Sequence, residues 1–246
     1  MLKPSQSKWF SQLPGAILQQ QEREAIERLL PTLFGYYALQ IGCCSEGDKP
    51  LQGWRIGHRF LLDCAVSNDY PMSVALTDPL QLPIKTDSVD AVLLPHTLDF
   101  SSDPHQLLRE VARVLIPDGR LIVVGFNSWS LWGAWRLIAR RGGAFPWHGH
   151  FLSARRLEDW LSLLGFEIES CEMMMFRPPL RSEILMKKLE FMESMGRRFW
   201  PLLGGSYVIK AVKRECLIRP IHQRWRPSTQ VLGGRVVKPT TRSKNG

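Results

Sequence analysis

The sequence predicts an open α/β fold with a parallel core, and three observations carry that prediction. Two short unbroken apolar runs, Ala91–Leu94 and Leu121–Val124, stand about one helix apart; a helical apolar stripe lies between them; and turn-forming residues mark each junction. Ala91-Val92-Leu93-Leu94 is bounded by Asp90 and Pro95, too short for a helix and suited to a strand covered on both faces. Leu107, Leu108, Val111, Val114 and Leu115 then recur at intervals of one, three and four, which is one face of a helix. Asp103-Pro104 supplies its cap and first-turn proline, and Pro117-Asp118-Gly119 stops it. Strand, helix and strand at this spacing imply a right-handed parallel crossover.

The remaining elements follow in order. Ile17–Leu30 reads as a leading helix with Glu22, Glu24 and Glu27 outward. A strand runs from Met72 to an acidic turn at Asp78. Ala154–Leu164 carries Leu157, Trp160, Leu161 and Leu164 on a helical face, and Gly165 ends it before a strand at Phe166–Glu169. Leu185, Leu189, Met192, Met195 and Phe199 mark one helix over about 181–200, preceded by Met173-Met174-Met175, an adaptable core filler. Tyr207–Lys213 alternates as an antiparallel edge strand does.

Open sheets bind ligands outside the carboxyl ends of their strands. That rule singles out Asp78, then Pro95 and His96, then Gly125–Asn127. Asp78 before Pro79 also reads as a plain turn former.

The run Asp78-Pro79-Leu80-Gln81-Leu82-Pro83-Ile84, then Asp87-Ser88-Val89-Asp90, the strand to Pro95, and Pro117-Asp118-Gly119-Arg120-Leu121 resembles the second half of a class I S-adenosylmethionine-dependent methyltransferase of the quinone-biosynthesis type. The resemblance implies a Rossmann-like, mostly parallel sheet of seven strands with helices on both faces and an antiparallel edge strand. It also implies S-adenosylmethionine as cofactor, with the acid at position 78 beside the adenine. In the first half the family has an acid, an apolar residue and three alternate glycines after strand one. Here Gln40 stands at the acid, Gly42 at the first glycine, and Cys44 and Glu46 at the other two. Phe60-Leu61-Leu62-Asp63 ends in an acid at the position that takes the ribose hydroxyls, and a lone Asp there also reads as a turn residue. The expected cofactor contacts are therefore Gln40, Gly42, Cys44, Asp63, Asp78, Pro79 and Pro95. The larger side chains in the loop keep a second reading open: a relative that binds the cofactor weakly or not at all.

By this reading residues 1–33 form a helical cover and 34–213 the methyltransferase-like domain, with an aromatic and basic insertion over about 128–152. Residues 214–246 form a basic, disordered tail. The net charge is +9, and nine Lys or Arg against one Glu fall between Lys213 and Gly246. No apolar stretch approaches the ~18 residues of a membrane span and no secretion signal opens the chain, so the expected location is the cytoplasm. Five cysteines without zinc spacing predict free thiols and no metal.

Trp129, Trp132 and Trp135 recur at steps of three with Arg136, Arg140 and Arg141 on the remaining surface. An interfacial membrane helix has that composition, so residues 128–141 and the tail are candidates for peripheral contact with an anionic membrane. Core filling and nucleic-acid stacking are the competing readings of these tryptophans. With Phe145, Trp147 and Phe151 they predict an aromatic, apolar acceptor site. Methyl transfer then needs mostly alignment and exclusion of water. His96 is the first candidate base, Asp99 the residue to orient it or the acceptor, and His148 and His150 follow. The alternatives to a small-molecule enzyme are a non-catalytic scaffold that binds protein or nucleic acid, and an RNA methyltransferase using the tail.

Overall fold

The computed structural model describes residues 9–42, 51, 53–63, 73–76, 78–139, 145–180 and 182–214. Its centre is a seven-stranded sheet of β1 (Tyr37–Ile41), β2 (His58–Asp63), β3 (Ser73–Leu76), β4 (Val89–Pro95), β5 (Leu115–Phe126), β6 (Phe166–Met174) and β7 (Ser206–Lys213). The order is β3-β2-β1-β4-β5-β7-β6. β1 to β5 run parallel, and β7 is antiparallel to both β5 and β6.

The helices are α1 (Gly15–Leu29), α2 (Thr97–Phe100), α3 (Pro104–Val114), α4 (Leu131–Ala139), α5 (Ala154–Leu163), α6 (Glu183–Lys188) and α7 (Phe191–Phe199). Asp103 caps α3 as its sequence predicts, accepting the Gln106 N–H at 3.0 Å. Leu107, Leu108, Val111 and Val114 pack with Leu157 and Leu161 of α5 on one face of the sheet, against Leu39, Val92 and Val123. Ala25, Ile26 and Leu30 cover the other face, against Ala91, Leu93, Ile122 and Val208. The leading helix is thus a structural layer, because its apolar stripe meets the face that α3 and α5 leave open.

Several expectations change. Tyr207–Lys213, expected as an edge strand, is β7, paired with β5 on one side and β6 on the other and buried along nearly its whole length, so the edge falls to β6. The Pro117-Asp118-Gly119 stop is a bulge inside β5: the pairing jumps from Val89–Leu115 to Ala91–Arg120, with Asp118 in the left-handed region. The single helix over 181–200 is broken between α6 and α7. Each short helix has its own inner anchor, Met186 in α6 and Gly196 in α7, where a Cβ would lie 2.4 Å from the Phe176 ring. Arg214, expected as the first residue of the tail, is tied to the sheet: its N–H donates to the Gly165 carbonyl and its guanidinium pairs with Glu167 and Asp118. The rest of the tail lies outside the described residues.

Candidate active site

Of the expected cofactor contacts, the parallel strands bring Gln40, Gly42, Asp63, Asp78, Pro79 and Pro95 to one edge, at the carboxyl ends of β1, β2, β3 and β4. Gly42 follows β1 with φ +84, a conformation that favours glycine. Its N–H donates to the Leu62 carbonyl at 2.8 Å, carrying the β1–β2 ladder to the strand end. A Cβ there would lie 2.8 Å from the Thr97 hydroxyl oxygen, and that hydroxyl itself donates to the Ile41 carbonyl. Thr97 therefore ties the end of β1 to the turn after β4, and its place beside His96 was its only signal in the sequence. Gln40, at the family's acidic position, donates from Nε2 to the Gly42 carbonyl at 3.1 Å and shapes the same turn. Asp63 closes β2 opposite Leu76, and its side chain lies outside the described residues, as does the whole of Cys44. Asp78 is exposed; its Oδ1 accepts the Leu80 N–H at 2.9 Å, and Pro79 beside it is half-buried. Pro95 is buried at the end of β4.

His96 comes next, at φ 53, and it is 4% exposed. Its Nδ1 lies 3.0 Å from Asp99 Oδ2, and its Nε2 lies 3.0 and 3.1 Å from the two Glu22 oxygens. Burial by itself would lower the imidazole pKa. The charge of Glu22 and hydrogen bonds to Asp99 and Glu22 overcome that and raise it to about 10. The ring is then an imidazolium donating from both nitrogens, with no lone pair to accept a proton. The expectation that His96 is the base gives way for that reason. Glu22, expected outward on the leading helix, is 2% exposed and also accepts the Ser206 hydroxyl. Asp99 Oδ2 accepts the Phe126 N–H at 3.0 Å, so the carboxylate beside His96 also pins β5. Burial pushes the Asp99 carboxyl up, against the opposing hydrogen bond and charge of His96. Glu22 and Ser206 were invisible as site residues in the sequence, where Glu22 is one of three acids on a polar helix face.

Above this cluster the chain fills space with its own aromatic rings. Phe126 stacks on His96 at 4.3 Å, and Phe10 approaches the imidazole at 5.9 Å. Trp132 is fully buried and donates from Nε1 to the Arg177 carbonyl, whereas Trp129 and Trp135 face out. The three tryptophans thus divide between core and surface. Trp9, Trp135, Trp147 and Leu180 line an apolar cavity of about 320 Å³ on the outer side of the cluster. His148 and His150 are exposed on the loop after Phe145, and the His150 N–H donates to the Asp99 carbonyl at 2.6 Å. Gly125 lies inside β5 opposite Tyr207, where a Cβ would meet the phenol oxygen at 2.6 Å. The Asn127 amide holds the Leu202 and Gly204 carbonyls. These two residues serve packing. Among the described residues no group of three or more His, Cys, Asp or Glu is placed to hold a metal ion.

A methyltransferase-domain family profile matches residues 61–123. The chain is 37% identical over 150 residues to the uncharacterized protein YafS of Escherichia coli K12; the match covers 59% of this chain and 60% of YafS. Among solved structures, a putative methyltransferase in complex with the Haloferax volcanii Trm112 activator aligns with a TM-score of 0.55 at 17% identity. That alignment covers 82% of this chain and 95% of the other. A Thermotoga maritima S-adenosylmethionine-dependent methyltransferase, a possible histamine N-methyltransferase, aligns with a TM-score of 0.54 at 18% identity, covering 80% and 96%. With its sheet order and the methyltransferase-domain match over residues 61–123, the chain has the fold of the class I S-adenosylmethionine-dependent methyltransferases.

Proposed function

We propose that this protein transfers a methyl group from S-adenosylmethionine to a small acceptor of aromatic or lipid-like character. The observation that carries the reading is the convergence of Gly42, Asp63, Asp78 and Pro95 on the carboxyl ends of four neighbouring parallel strands. The residues fit the cofactor in kind. A glycine with positive φ leaves the backbone open at the end of β1, the exposed Asp78 has a carboxylate for adenine donors, and Asp63 ends β2 where the resemblance puts the ribose contact. When bound, the cofactor supplies a methyl already activated by a positive sulfur. The chain's task is then to orient the acceptor and keep water out.

The aromatic character of the acceptor is supported by the cavity among Trp9, Trp135 and Trp147, whose volume falls in the range of small-molecule sites. His96 acts in this reading as a positioning residue, fixing the turn between β4 and α2 through Asp99 and Glu22. Where an acceptor carries a proton, the candidates to receive it are His148 and His150, on the loop packed against that turn.

Calorimetric titration with S-adenosylmethionine and with S-adenosylhomocysteine tests the reading. Near-micromolar binding is expected for the parent, and Asp78→Ala is expected to abolish it with the fold intact, because the lost contact lies at an exposed turn. A folded parent that gives no heat and no thermal stabilisation with either ligand overturns the enzyme in favour of the non-catalytic scaffold.

A further inference from the structure

Apolar side chains exposed on this protein are concentrated in one region. Of seventeen large hydrophobic residues exposed among the described residues, twelve fall in 129–138 and 184–203. Scattered single residues would need no explanation, but a contiguous set does. The two segments adjoin. The Asn127 side chain accepts the Trp129 N–H and donates to the Leu202 carbonyl, while Trp132 of α4 and Met186 of α6 share one buried cluster. With Trp132 turned inward, α4 presents Trp135 and Ile138 to solvent, and Trp129, the most exposed of the three tryptophans at 74%, stands at its entry.

The same region has a cationic wall. Trp129, Leu202 and Leu203 form the apolar lip of a groove of about 490 Å³, and Arg155 and Arg156 of the first turn of α5 line its opposite side with Asp159. Arg156 is held over the Trp160 ring at 5.2 Å, with its charge in the solvent. Exposed Lys188, Arg197 and Arg198 add positive charge in the last turns of α6 and α7. Two of the nearby acids are already engaged, Glu183 with Lys187 and Glu193 with Arg177. Among the described residues no helix is long and apolar enough to cross a membrane, so these side chains can reach hydrocarbon only from the surface.

We propose that Trp129, the outer face of α4 and the Trp200–Leu203 turn dock on an anionic lipid membrane, with Arg155 and Arg156 receiving headgroup phosphates. Tryptophan with aliphatic neighbours suits the boundary between headgroups and acyl chains, and the arginines set a preference for negative lipid. Aliphatic residues such as Ile138 and Leu202 offer no stacking surface to a nucleic acid, which argues for lipid over RNA at this face. The face shares Trp135 with the cavity of the proposed acceptor but includes none of the expected cofactor contacts, so the proposal does not rest on methyl transfer.

Co-sedimentation of the full chain with vesicles tests it, using phosphatidylcholine alone and phosphatidylcholine mixed with phosphatidylglycerol. The parent is expected to bind the mixed vesicles and to bind neutral ones weakly. Trp129→Ser combined with Leu202→Ser is expected to lower partitioning about tenfold, as loss of two exposed apolar side chains requires. Arg155→Ala combined with Arg156→Ala is expected to remove most of the preference for the anionic vesicles. All four positions are at the surface, and an unchanged thermal unfolding midpoint verifies the fold independently of any cofactor. Failure of the parent to bind the mixed vesicles overturns the proposal. So does parent-like binding by both variants, which would place the contact in residues 214–246.

Discussion

A buried histidine between two carboxylates is a pH-dependent joint. The His96 pKa in the folded protein, about 10, lies above its ordinary 6.5. The stabilisation it provides is therefore complete below pH 6.5 and is lost as pH rises through about 10. Asp99, also raised, acts in the same direction from its ordinary range upward, since the folded state holds its proton more tightly. Tyr207, packed against β5 nearby, is pushed well above its ordinary value by burial and by the charge of Asp99, and it stays neutral across this window. We expect denaturant-measured stability to decline steadily between pH 6.5 and 10. Glu22→Gln should keep the hydrogen bonds to His96 and Ser206 but remove the charge, moving the decline to lower pH and costing about 3 kcal/mol at neutral pH. Unfolding curves at several pH values check both. A flat profile for the parent would show that the imidazole is neutral.

At the scale of elements, α4 divides its tryptophans by geometry. Trp132 fills the core beside Phe126 and Trp147, so Trp132→Ala is expected to cost about 3–5 kcal/mol in equilibrium unfolding. Trp135→Ala, at a partly exposed site, should cost less than about 1 kcal/mol. The contrast was not legible in the sequence. Steps of three leave successive tryptophans about 60° short of a full turn, and the inward one is set by tertiary partners, the Arg177 carbonyl and the rings of Phe126 and Trp147. By comparison α3 was fully legible, because its cap, its proline and its apolar stripe are all local signals.

For the molecule as a whole, the described fold ends at Arg214, whose N–H is tied to the Gly165 carbonyl. Deleting 217–246 should therefore leave the affinity for S-adenosylhomocysteine unchanged, a comparison calorimetry makes directly. A lost or weakened heat would place part of the site in that segment. Because Arg214 is paired to Glu167 and Asp118, a cut before it should lower the unfolding midpoint in addition.

The sequence by itself determined the sheet. Strands buried on both faces, such as β4, must be continuous apolar runs, and helices packed on one face must be periodic; both patterns lie within a dozen residues. It also marked Asp78 and Pro95, because parallel strands deliver their carboxyl ends to the same edge whatever their separation, while the family resemblance added Gly42 and Asp63. What only the tertiary structure decided are the pairings across the chain. Glu22 meets His96 across 74 positions and Ser206 across 184, and Phe10 reaches the same imidazole from the amino-terminal segment. A glutamate on a polar helix face carries no local sign that it will be buried. The sign of its role comes from the charge it meets, and that partner arrives only when α1 is laid across the face left open by α3 and α5.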